Sequence, residues 1–143
     1  MDNNIIIDVE QLKERLNKNS NDIEAAQSLG NLYYDKGDAG LAIHYYRHAL
    51  EINPALSGVR TDLGAMYWRI EDIGLAEQTF REVIARDPGF GQAYVNLGFL
   101  LQLAKGDIMG ARSVWQQLID INPDHKMAAK ARELLWETAA VIN

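Results

Sequence analysis

Apolar residues recur along most of this chain at helical intervals, and the intervals themselves repeat. Ala26, Leu29, Gly30 and Tyr33 fall on one face of a helix, and Ala42, Tyr46, Ala49 and Leu50 on one face of the next. Short polar segments separate such stretches: Lys36-Gly37-Asp38, Glu71-Asp72 and Lys105-Gly106-Asp107. They read as tight connections between antiparallel helices. The second helix of each pair ends at Asn53-Pro54, Asp87-Pro88 or Asn122-Pro123, because the residue before a proline is pushed out of the helical region. The pattern predicts an all-α chain of helical hairpins.

The hairpins are copies of one unit. Leu29-Gly30, Leu63-Gly64 and Leu97-Gly98 recur 34 residues apart, and Tyr33, Tyr67 and Leu101 keep the same spacing. So do Leu41-Ala42 and Leu75-Ala76, Tyr46 and Phe80, and Ala49 and Val83. In the third copy Ala111, Trp115 and Leu118 each come one residue late, which places one inserted residue between Gly98 and Gly106. A glycine inside a helix costs about 1 kcal/mol relative to alanine, and one site carries it three times. The expected gain is close approach of two helices, with Tyr46, Phe80 and Trp115 filling the space between units.

These residues resemble the tetratricopeptide repeat. Its first helix carries a large residue, then Leu-Gly, then Tyr; its second carries Ala, an aromatic, Ala and a closing Pro. The match runs over 23–125, departing at Ala26 and Arg60, where the pattern prefers a large aromatic, and fitting at Tyr94. The resemblance implies a right-handed α-solenoid of three helix-turn-helix repeats, 23–56, 57–90 and 91–125. A half-repeat helix is expected over 8–22, with Val9, Leu12 and Leu16 on one face and Asp8 as N-cap, after a flexible tail over 1–7. A capping helix over 126–143 directs Met127, Ala131, Leu134, Leu135 and Thr138 inward and Trp136 outward.

The resemblance also implies a function, that of a scaffold whose first helices line a concave groove for a peptide or helix of a partner protein. One step round from the Leu-Gly core, the stripe comprises Gln27, Asn31 and Tyr34, then Thr61, Ala65 and Trp68, then Val95, Phe99 and Gln102. Leu103 lies beside it, Asp62 and Asn96 flank it, and Gln92 precedes it. Amides bond both donors and acceptors of a peptide backbone, and aromatics supply anchoring area. Some relatives clamp a terminal carboxylate with Lys, Arg and Asn. Here Gln27, Asn31, Asp62, Gln92 and Asn96 stand at those places, so a neutral to basic segment is the expected occupant. The competing reading is a self-assembly module, with Trp136 docking on a second copy to form a homodimer. The resemblance extends to bacterial adaptor domains, some fused to or anchored beside membrane assembly machinery.

Composition narrows the partners. A net charge of −6 without a clustered basic run argues against nucleic acid, whose phosphates need Lys and Arg. The chain has no Cys, which removes disulfides and thiolate chemistry. No apolar stretch approaches the roughly 20 residues needed to cross a bilayer, and the first residues do not resemble a signal peptide. A cytoplasmic protein is expected, or alternatively the soluble domain of a membrane-anchored or periplasmic one. His44 and His48 have a spacing that can chelate zinc, but they read as solvated surface residues, and His125 as part of a turn. The carboxylates lie in turns and on exposed faces, without the apolar pocket that acid–base chemistry requires. The expectation is a non-enzyme with no cofactor and no metal site.

Overall fold

The same connection is built three times, and it sets the fold. Gly37 and Gly106 adopt left-handed backbone angles, with φ of 79° and 65°, which end a helix by letting the chain double back. The aspartate that follows then caps the next helix. Asp38 and Asp72 accept hydrogen bonds from the backbone N–H groups of Leu41 and Leu75 at 3.1 and 3.2 Å, and Asp107 from Gly110 at 2.8 Å, satisfying a donor that the first helical turn leaves free.

A computed structural model describes residues 9–141 and contains only helices among them. In chain order these are α1 (Val9–Lys18), α2 (Ile23–Lys36), α3 (Ala39–Ile52), α4 (Ser57–Arg69), α5 (Ile73–Arg86), α6 (Gly91–Phe99), α7 (Ile108–Ile121) and α8 (Lys126–Ala139). α6 continues directly into a π-helical turn, Leu100–Ala104. Helices α2 and α3, α4 and α5, and α6 and α7 pack as pairs, and successive pairs stack, giving an α-solenoid. Helix α1 packs on α2, burying Leu12, and α8 covers α6 and α7. The expected tail over 1–7 and the Asp8 cap lie outside the described residues.

The repeated glycines do what their cost implies. A methyl group on Gly30 would lie 2.5 Å from the Tyr46 ring, and one on Gly64 2.6 Å from the Phe80 ring; on Gly98 it would overlap Trp115. Sequence placed these rings between units. In the structure each rests on the glycine of its own pair, and so sets the distance between that pair's helices. All three rings are fully buried.

The third pair differs by its extra residue. The amide of Asp38 bonds the carbonyl of Tyr33, and that of Asp72 the carbonyl of Tyr67, whereas Asp107 reaches Leu101, one residue farther back. A π turn holds more residues per turn than an α-helix, so the turn at Leu100–Ala104 takes up the additional residue without displacing α7.

A second theme links neighbouring pairs. The carbonyls of Ser20, Pro54, Pro88 and Pro123 occupy one place in the repeat, and each accepts a side-chain bond. The donors are His48 Nε2 at 2.7 Å, Arg60 Nη2 at 2.9 Å, the Tyr94 hydroxyl at 2.7 Å and Arg132 Nη2 at 2.6 Å. Arg60 thus replaces the phenol of Tyr94, and its charge is met by Glu82 at 2.9 Å. His48, expected to be solvated, is half-buried because it makes this bond.

Glu71 holds the left-handed place that glycine fills in the other two connections, with φ of 65°. A side chain there costs about 1 kcal/mol. Glu71→Gly should therefore stabilise the protein by about that amount in urea unfolding; a loss of stability would show that the side chain compensates for its backbone strain.

Candidate functional site

Helices α2, α4 and α6 stand side by side, and the face they share carries most of the residues singled out in the sequence. The repeat phase puts Gln27, Asn31 and Tyr34 on α2, Asp62, Ala65 and Trp68 on α4, and Gln92, Asn96 and Phe99 on α6. Gln102 and Leu103 lie on its π extension. Tyr34, Trp68 and Phe99 are half-buried, each packed on the core with part of its ring exposed. Phe99 meets Trp115 edge-on, with ring centroids 5.8 Å apart, an arrangement that fixes its orientation. Leu103 is 67% exposed.

Two expected members of the stripe are not on the surface. Thr61 is 2% exposed, its hydroxyl donating to the Ser57 carbonyl at 2.8 Å, and Val95 is 4% exposed. Val95 belongs to the buried apolar core. The same position in the first pair, Gln27, stays half-exposed. Thr61 and Val95 therefore form the floor of the face and offer no contact.

The amides are partly committed. The Asn31 side-chain oxygen accepts from the Tyr46 hydroxyl at 2.7 Å, and Gln92 Nε2 donates to Asn96 Oδ1 at 2.7 Å. These bonds hold the carboxamides in fixed orientations while leaving the Asn31 and Asn96 NH2 groups free to donate outward.

A depression of about 630 Å³ opens where the three helices end, lined by Tyr34, Ala65, Met66, Trp68, Arg69, Glu71, Ile73 and Ala104. Arg69, Glu71, Ile73 and Ala104 were not anticipated. They come from helix ends and a connection, which only the stacking of pairs brings together. Arg69, one residue past Trp68, was the nearest signal in the sequence.

Asp62 is the half-buried charge on this face. Burial raises the pKa of its carboxyl. It also contributes to raising that of the Tyr46 hydroxyl, where desolvation is the larger cause, followed by Asp62, Tyr34 and Asp35. The face can therefore offer ring surfaces, oriented amides and a carboxylate, which is equipment for recognition.

The histidines serve the fold. His44 is exposed and lies edge-on to Tyr45, and His125 caps α8 by accepting from the Met127 amide at 2.9 Å. No group of three or more His, Asp or Glu among the described residues could hold a metal ion. No helix among them is long and apolar enough to cross a membrane.

Comparison with known proteins places this geometry. Residues 23–56 match the family model of the tetratricopeptide repeat. No curated protein matches the chain in sequence. Among solved structures, MamA superposes with a TM-score of 0.73 at 20% identity, over 92% of this chain and 89% of that one. YrrB, described as a tetratricopeptide-repeat protein with an unusual peptide-binding site, gives 0.72 at 24% identity, over 87% of this chain and 64% of that one. The first repeat domain of Spaghetti (RPAP3), bound to the HSP90 peptide SRMEEVD, gives 0.67 at 19% identity, over 82% and 95%. One pair of helices, 23–56, thus matches the tetratricopeptide repeat in sequence, and the helical body as a whole has the fold of tetratricopeptide-repeat proteins.

Proposed function

We propose that the face shared by α2, α4 and α6 is a concave groove that binds a short segment of a partner protein. The observation that carries this reading is the half-exposed ring on each of the three helices, Tyr34, Trp68 and Phe99, set among oriented amides. Rings already fixed by packing lose little conformational freedom on binding, which favours their use as anchors. YrrB and RPAP3, which share the fold, are described respectively as having a peptide site and as bound to a peptide. The peptide held by RPAP3 is acidic near its end, whereas Asp62 in this groove would repel such a tail. A neutral to basic segment fits better. Binding without catalysis is the proposed role.

A second reading rests on Trp136. It falls at the repeat place of Tyr33, Tyr67 and Leu101, all buried, yet it is 83% exposed. Arg132 and Glu133 stand in α8 where the three units have Leu-Gly, so a further helix cannot approach there as closely as within a pair. A looser contact with a second copy remains open to it.

Trp68→Ala combined with Gln102→Ala should abolish partner capture on an affinity resin while the helical circular dichroism is retained; undiminished capture would remove the groove from the account. Light scattering separates the second reading. The groove account expects the same mass for wild type and Trp136→Ala, and a wild-type dimer lost in that variant would favour self-assembly.

A further inference from the structure

The middle pair differs from its neighbours at two adjacent places on the groove. Where the first and third pairs carry Asn31 and Phe99, the second has Ala65, and the small side chain leaves the depression of about 630 Å³ between Tyr34 and Trp68. Where they carry the uncharged Ser28 and Asn96, the second has Asp62, one helical turn from Ala65 on the same face.

Asp62 is half-buried and forms no ion pair with any Lys or Arg among the described residues. The surrounding elements supply little positive charge. Helix α6 and its π extension have no charged residue from Gly91 to Ala104. On α2, Asp35 adds negative charge and Lys36 lies over the Tyr33 ring, 5.8 Å from its centroid. Lys105 is taken by Glu77 at 2.8 Å. Arg69 and Glu71 sit together at the far rim of the depression, two helical turns from Asp62. A carboxylate removed from water without a partner is costly to the folded chain, and the surfaces beside it are aromatic faces that also attract cations.

We propose that Asp62 selects the occupant of the groove by receiving the ammonium or guanidinium of a single Lys or Arg in the partner segment, beside an apolar residue that fills the depression over Ala65. The inference rests on the groove reading and adds its specificity. Charge complementarity identifies the occupant: the cation gains a desolvated counter-charge, and Asp62 gains the ion-pair partner that no described residue supplies.

A phage-displayed library of random twelve-residue peptides, panned separately on wild type, Asp62→Asn and Trp68→Ala, tests this. Wild type should enrich peptides with Lys or Arg beside an apolar residue. Synthetic copies of them should bind Asp62→Asn about tenfold more weakly, with replacement of their Lys or Arg by norleucine having a similar effect on wild type. Asp62→Asn should unfold at no lower a temperature than wild type at pH 7, which distinguishes selection from structural support. Peptides lost on Trp68→Ala but showing no preference for Lys or Arg would overturn this inference and leave the groove reading intact. Enrichment of acidic peptides would overturn it as well. Failure to recover any peptide sensitive to Trp68→Ala would overturn both. Self-association of wild type in competition with the peptides would assign the groove to a second copy and overturn the inference.

Discussion

The contact between a glycine on the first helix of each pair and a ring on the second governs the rest of the structure. Gly30 with Tyr46, Gly64 with Phe80 and Gly98 with Trp115 bring backbone against ring with no space for a methyl group. That approach sets the spacing within each pair, and the pair spacing determines how α2, α4 and α6 line up. The face proposed as a groove is thus a consequence of three buried contacts that do not themselves reach its surface. Helix propensity is given up at each glycine, about 1 kcal/mol against alanine, and burial of a large ring outweighs it.

Between pairs the controlling requirement is different. A carbonyl at the start of each turn must find a donor, and four chemically unlike side chains meet that need: His48, Arg60, Tyr94 and Arg132. From sequence, Arg60 was a departure from the repeat pattern and His48 a surface residue, because a pattern of residue types records Tyr94 and cannot register an equivalent bond made from another helix. What repeats is the satisfied carbonyl, and the residue that satisfies it varies.

Helix order, pairing and the close approach at the three glycines were legible because periodicity of 3.6 and of 34 residues both report burial directly, but that each ring rests on the glycine of its own pair was not, since the sequence pointed to rings between units. The place of the extra residue was legible to within a turn, but its form as a π turn was not, since that depends on how α7 is held. Two residues expected on the proposed groove, Thr61 and Val95, which lie one step round the helix from the core, are buried instead. Whether that step is exposed depends on the neighbouring pair, and sequence phase within one unit does not contain that information. Arg69, Glu71, Ile73 and Ala104 went unseen for the same reason, and Asp62 was visible as a charge but not as one without an ion-pair partner among the described residues.

The central claim is that ring and glycine fix the pair spacing against each other, and a thermodynamic cycle on one pair tests it most directly. The free-energy change for Gly64→Ala is measured by urea unfolding in wild type and in a Phe80→Val background, where the ring atoms facing Gly64 are gone. The account predicts a change of sign: destabilising with Phe80 present, and stabilising by up to about 1 kcal/mol without it, as alanine's helix propensity is released. The same cost in both backgrounds would mean that Gly64 is kept for some reason other than the ring, and would contradict the account.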